Sequence, residues 1–473
     1  MLFNSMTFLW IFLPALVALY FFADKKWRNY ILLVFSLVFY AWGEPIYILL
    51  MIVSIVMNYF IGLRIARSKK KMKKKLWLII DIVINLGLLG YFKYFVFIID
   101  LINGVFGSGL ETPEIVLPIG ISFYTFQIMS YVIDLYRGEI NVQKNILKLA
   151  LYISFFPQLI AGPIVKYHDI EKELENRQET VEKFAYGIKR FTMGLCKKVI
   201  IADTMALVAD AVFDGAMDGL TQSIAWLGAI CYMLQIFFDF SGYSDMAIGL
   251  GAMFGFKFPE NFNLPYISGS VTEFWRRWHI SLSTWFKEYL YIPLGGNRKG
   301  EMRTYVNLWI VFLATGIWHG AAWSFVVWGI YQGFFIFIER VGFKKILDKC
   351  KVLNHIYLLI VALFGWVIFR VPSLKNGLRF IKIMLVGQSV ANSELQLYNV
   401  VNNRVWVMLV VGILFSGVVQ VVFQRIVGSN EKVKKRVDKI WSISQPVLVL
   451  TGLIICLFMI INNTYSSFIY FRF

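Results

Sequence analysis

Apolar residues run through this chain in long blocks separated by short polar breaks. Examples are "MTFLWIFLPALVALYFFA" near the start and "IFFDFSGYSDMAIGLG" in the middle. Many blocks reach or exceed the ~18–20 residues needed to cross a ~30 Å hydrocarbon core. The pattern predicts an all-α polytopic membrane protein of about eleven to thirteen spans, which excludes a soluble globular fold. No repeat of 20–50 residues recurs, and no polar linker is long enough to separate two domains. We read one membrane domain over 1–473: N-terminal spans (1–150), a core with re-entrant and amphipathic segments (151–345), C-terminal spans (346–462) and a tail (463–473).

Two segments depart from the simple spanning pattern. "LALYISFFPQLIAGPIVKY" carries Pro157 and Gly162–Pro163, which break helical hydrogen bonding. Irregular backbone at membrane depth requires protein or a water-filled cavity around it, so a broken or re-entrant segment is predicted there. In "EFWRRWHISLSTWFKEYLYIPLGGNRKG", Trp275, Trp278, Leu282, Trp285 and Tyr289 share one helical stripe, with Arg276, Arg277, Lys287 and Glu288 opposite. That spacing predicts one amphipathic helix over 273–291, lying in the cytoplasmic interface.

Charge adds orientation. The formal charge is +18, with 58% hydrophobic residues and a mean hydropathy of +0.65. In a membrane protein such an excess first reports cytoplasmic loops rather than nucleic acid. "RIARSKKKMKKK" places eight basic residues between Arg64 and Lys75 and marks the inside. "DKKWR" then falls inside as well, and both termini fall outside. The stretch Val199 to Phe213 is the weakest crossing on which this parity depends. The first apolar run lacks a basic residue ahead of it and is read as a retained span. Cys196, Cys231, Cys350 and Cys456 are scattered, so neither a disulfide framework nor a zinc site is indicated. There is no HExxH, so no metal is expected.

Candidate chemistry is sparse, with four histidines in the chain. His319, in "GIWHGAAWSF", lies sixteen residues beyond Arg303, or roughly 24 Å along a helix from the cytoplasmic face. An ionisable residue at that depth is a functional candidate; the alternative is a hydrogen-bonded structural histidine. His279 sits on the shoulder of the amphipathic stripe. Asp239 and Asp245 interrupt an apolar run together with Ser241, Tyr243 and Ser244, and buried carboxylates need partners; they either line the cavity or pair with Arg276 or Arg277, with a purely structural network as the alternative. His168, in a charged loop, and His355 read as ordinary surface or structural residues.

Assembled, these residues resemble the membrane-bound O-acyltransferase superfamily, closest to its AlgI-like polysaccharide O-acetyltransferase branch and related to DltB-like D-alanyl transferases. The matching stretches are "FPQLIAGPIVKY", "GLCKKVIIAD", "FDFSGYSDMAIGLG", "FWRRWHISLSTWFKEYLYIPLGGNRKG", "GIWHGAAW" and the terminal "FIYFRF". The resemblance implies a ring of helices around a tunnel with a cytoplasmic funnel, with Trp318, Asp239, Ser241, Tyr243, Asp245, Trp275, Arg276, Arg277, Trp278 and Arg472 lining it. It implies that His319 is the catalytic histidine and His279 a second one. It further implies acetyl-CoA (or an acyl carrier protein) as the cytoplasmic donor, no bound cofactor, and an extracytoplasmic SGNH-type acetyltransferase partner. Tyr470, in the terminal hexapeptide, is implied to relay the acyl group as a phenyl ester. The seven residues from Asn463 to Tyr470 reach roughly 23–25 Å when extended, and Arg472 could hold the tail against a carboxylate or a C-terminal turn. A lipid-linked sugar transporter, D-alanyl transfer and direct acylation of the polymer remain rival readings.

Overall fold

The computed structural model describes residues 1–215, 217–371, 373–388, 401–428 and 431–462. Every element among them is a helix. Among the described residues, seven helices are long and apolar enough to cross a membrane: Tyr47–Arg67, Lys71–Phe106, Gln222–Met253, Trp323–Leu347, Lys351–Arg370, Asn403–Gly428 and Glu431–Asn462. A shorter apolar helix spans Phe8–Phe22. Seven is fewer than the spans counted from loop charges, because several apolar blocks are cut into short helices. The weak crossing after Val199 is one of these. A π-helical turn over Lys197–Ala202 leads into the eleven-residue helix Asp203–Phe213.

The chain divides into two compact units. The first comprises Met1–Ile188 and Met246–Pro259; the second comprises Lys189–Asp245 and Glu260–Phe473.

In the first unit, Phe3, Phe8, Phe12, Phe39 and Phe156 form one buried aromatic cluster. Between the helices Tyr47–Arg67 and Lys71–Phe106, Asn58 and Asn85 exchange amide hydrogen bonds of 3.4 and 3.0 Å. Such pairing satisfies polar groups where lipid offers none. The Pro157 region is broken as its sequence predicts. A helix over Ile146–Ser154, capped by the Asn145 side chain, stops before the single turn Phe156–Leu159. The chain then runs without helix to Tyr167. Side chains take over the lost hydrogen bonds. The Tyr152 hydroxyl lies 3.2 Å from the Gln127 carbonyl and 3.1 Å from that of Val165. The Gln158 amide donates to the Tyr152 carbonyl at 2.5 Å.

In the second unit, the first part of Gln222–Met253 runs through the core; its 18-residue apolar window is 83% buried, so it has no lipid-facing stripe. Glu301–His319 and Trp323–Ile338 form a close hairpin. Gly316 and Gly329 sit at the crossing: a Cβ on Gly316 would lie 2.4 Å from the Phe325 carbonyl, and one on Gly329 would lie 2.5 Å from that of Phe312. Small residues at a helix crossing let backbones approach this closely.

Candidate active site

The second unit gathers His279 and His319 into one aromatic cage. His319 ends its helix, and Gly320 follows in extended conformation. A Cβ on Gly320 would lie 2.2 Å from the Phe325 ring, so only glycine lets the chain turn here without moving that ring. The imidazole of His319 meets Trp328 at 5.2 Å and Phe369 at 5.1 Å, both edge-on. Trp318 links the two histidines: its ring lies 5.1 Å from that of His319 and 6.3 Å from that of His279. Trp275 packs on Trp328 at 5.4 Å and Trp278 on Trp366 at 4.7 Å.

The single amphipathic helix predicted over 273–291 is not formed. Two short helices, Val271–Arg277 and Ile280–Phe286, are separated by Trp278 and His279. His279 adopts φ 45°, ψ 54°, a left-handed conformation that costs a non-glycine residue about 1–2 kcal/mol. The stripe Trp275, Trp278, Leu282, Trp285 and Tyr289 is buried in protein rather than laid on lipid. Periodicity detects an apolar face; it does not distinguish lipid from a protein core as the cover.

The break gives His279 its chemistry. Its Nδ1 accepts the Leu282 N–H at 3.2 Å and so caps the second helix. A nitrogen that accepts carries no proton, so the neutral ring is protonated on Nε2. That Nε2 is buried without a hydrogen-bond partner among the described residues. Burial lowers the pKa of this histidine to about 3. The side chain is therefore a neutral donor with its N–H uncommitted. Phe240 holds the other face of the ring edge-on at 4.6 Å.

The surrounding elements fix this geometry. Glu339, at the end of the Trp328-bearing helix, accepts the Val271 N–H (2.6 Å) and the Thr272 N–H (2.9 Å) at the start of the first short helix. Trp275 Nε1 donates to Gln332 on that same helix at 3.1 Å.

The acidic candidates are tied elsewhere. Asp239 pairs with Lys198 at 2.8 Å, and Lys198 also pairs with Asp203 at 2.8 Å. Asp245 pairs with Arg190 (2.7 Å) and Lys197 (2.6 Å). Arg277 pairs with Glu273 at 2.9 Å and Arg276 is exposed, so the expected pairing of Asp239 and Asp245 with Arg276 or Arg277 is replaced by pairing with Lys198, Lys197 and Arg190. Ser241 and Tyr243 are buried on the same helix as Asp239. Tyr470 and Arg472 lie outside the described residues. Sequence reasoning missed Trp328, Phe369, Asn261 and Lys198. A lysine inside "KKVIIAD" was the available signal for Lys198, since a cation in an apolar run needs buried carboxylates.

In the first unit His168 is exposed at the surface, as its charged surroundings suggested. It lies in the helix Tyr167–Glu175, with Nδ1 3.1 Å from buried Asp134 and Nε2 3.2 Å from Asp169.

The two buried histidines in one aromatic cage make this the candidate active site of a multi-pass helical protein. The family model for membrane-bound O-acyltransferases matches residues 137–380, which include both histidines. The chain belongs to that family and is an acyltransferase of the membrane. It is 46% identical to the probable alginate O-acetylase AlgI of Pseudomonas aeruginosa over 86% of this chain and 79% of that protein. It is 39% identical to the peptidoglycan O-acetyltransferase of Helicobacter pylori over 81% of this chain and 80% of that protein. Identity to the teichoic acid D-alanyltransferase of Bacillus subtilis is 31%, over 45% of this chain and 56% of that protein.

Proposed function

We propose that this protein takes an acetyl group from cytoplasmic acetyl-CoA and passes it across the membrane to an extracytoplasmic SGNH-type partner, which O-acetylates an exported or cell-envelope polysaccharide. Both termini then face outward. The observation that carries the reading is the pair of buried histidines bridged by Trp318, in a chain with long matches to proteins named for O-acetylation. The D-alanyltransferase match covers about half as much of the chain and supports the alternative donor, a D-alanyl carrier protein, less well.

The mechanism follows from the donor and acceptor atoms. His319 takes the phenolic proton of Tyr470. The phenolate attacks the thioester carbonyl, and the His279 Nε2–H donates to the developing oxyanion. The C–S bond breaks, and the thiolate leaves with the proton held by His319. A thiol leaves near pKa ~8.5 and a phenol near ~10. A sugar hydroxyl is far less acidic, so the acetyl group meets a poorer leaving group at each step and the tyrosyl ester remains competent to hand it on.

The test is peptide mass spectrometry on purified protein given isotope-labelled acetyl-CoA, with His319→Ala as control. A labelled acetyl on Tyr470 that is lost in the control is expected. Acetyl-CoA consumption that depends on His319 while Tyr470→Phe still delivers acetyl to the partner would sink the relay. No consumption at all would favour the carrier-protein donor.

A further inference from the structure

The stripe from Trp275 to Tyr289 has every local reason to form one helix, yet the chain breaks at Trp278–His279. What holds it open is a segment the mechanism above does not use. Asn261 is fully buried, and two of its groups accept three hydrogen bonds from the chain just beyond His279. Its carbonyl accepts the Ile280 N–H at 2.9 Å. Its Oδ1 accepts the Ser281 N–H at 3.2 Å and the Ser281 hydroxyl at 2.9 Å. Its own amide is anchored by donating to Ser244 Oγ at 3.1 Å. Two residues on, the Asn263 N–H donates to the Arg277 carbonyl at 2.9 Å. The 261–263 strand of chain therefore brackets His279 from both sides.

In a continuous helix the N–H groups of Ile280, Ser281 and Leu282 would bond to carbonyls four residues earlier. Asn261 takes the first two. The third goes to His279 Nδ1, which fixes the tautomer and leaves Nε2–H free to donate. A left-handed residue persists only where its surroundings over-determine it, and Asn261 is the group positioned to do so.

We propose that Asn261 is a positioning residue for acyl transfer: by keeping the helix broken at His279, it holds that histidine as an Nε2–H donor. The proposal rests on the donor role given to His279 above. Two readouts on the full-length protein separate them. The first is structural. With four histidines in the chain, uniform 15N-histidine labelling in lipid nanodiscs, assigned with His279→Ala, reads the His279 tautomer directly. The wild type is expected to show Nδ1 as the unprotonated nitrogen, and Asn261→Leu to show a mixture of tautomers. An unchanged His279 spectrum in Asn261→Leu overturns the proposal whatever the activity.

The second readout is a double-mutant cycle on acetyl transfer. Asn261→Leu is expected to lower kcat about tenfold with KM for the donor unchanged, and to add nothing in the His279→Ala background. Independent, multiplying losses overturn it. If His279→Ala alone transfers acetyl at the wild-type rate, the donor role fails, while the tautomer experiment still judges the clamp. Should Asn261→Leu not be recovered folded, Ser281→Ala removes one of the contacts and serves in the same cycle, where a smaller loss that again vanishes with His279→Ala is expected; a loss that persists overturns the proposal.

Discussion

His168 in the first unit and His279 in the second show two opposite settings for an imidazole, one at the surface and one buried. His168 is exposed at the surface with its ring against Asp134 and Asp169, and those hydrogen bonds raise its pKa to about 10. Its charge is spent on its neighbours. His279 is fully buried with no carboxylate hydrogen-bonded to it among the described residues, and desolvation lowers its pKa to about 3. Its charge is forbidden, and its one proton is left for something else to accept. A compensated polar group is structural. A buried donor without a partner costs free energy, and that is the reason to look for a substrate there.

The largest effect that would break this contrast is on turnover. His319→Gln is expected to lower acyl-transfer kcat by roughly 10²–10⁴, the range for losing a general base, whereas His168→Gln should change it less than about twofold. Comparable losses in both, measured by release of free coenzyme A, would erase the distinction.

Next is the donor role itself. His279→Ala should cost roughly 10²-fold in kcat, the scale for one oxyanion donor. His279→Gln, which keeps an N–H near the same place, should recover part of it. No recovery would point to imidazole acid–base chemistry instead.

A smaller effect comes from the hairpin that presents His319. Gly316→Ala drives a Cβ to 2.4 Å from the Phe325 carbonyl, and the backbone must move. A destabilisation of about 1–3 kcal/mol is expected for such overpacking, read as a lower thermal midpoint in detergent together with a reduced kcat.

The smallest and most diagnostic prediction is in pH. His168 has a folded pKa raised above its unfolded value of ~6.5, so its stabilisation is complete below that pH and is lost as pH rises toward about 10. His279 has a folded pKa depressed below the same value, so stability is complete above ~6.5 and is lost as pH falls toward about 3. Thermal midpoints against pH should therefore lose alkaline slope in His168→Gln and acid slope in His279→Gln. The reverse assignment would mean that the two environments had been exchanged.

Much was legible along the chain. Block length and hydropathy suffice for an all-α membrane protein, because crossing a hydrocarbon core demands long runs with every backbone group satisfied. Pro157 and Gly162–Pro163 announced the broken segment, because proline cannot donate the helical bond. His319 was singled out as a candidate by its place along an apolar run. The pairing of Asp239 with Lys198 was not legible, because the choice among cations depends on which helices pack together. The same is true of His279. Periodicity put it on the shoulder of one helix, and only contacts from Asn261, eighteen residues earlier, and Leu282, within its own segment, break that helix and decide which nitrogen holds the proton. What the sequence determined by itself was therefore burial and period: which blocks leave water and where a helix cannot continue. What tertiary structure decided was the competition for hydrogen bonds, since a backbone N–H goes to its own helix or to a distant side chain according to which acceptor the fold brings within about 3 Å.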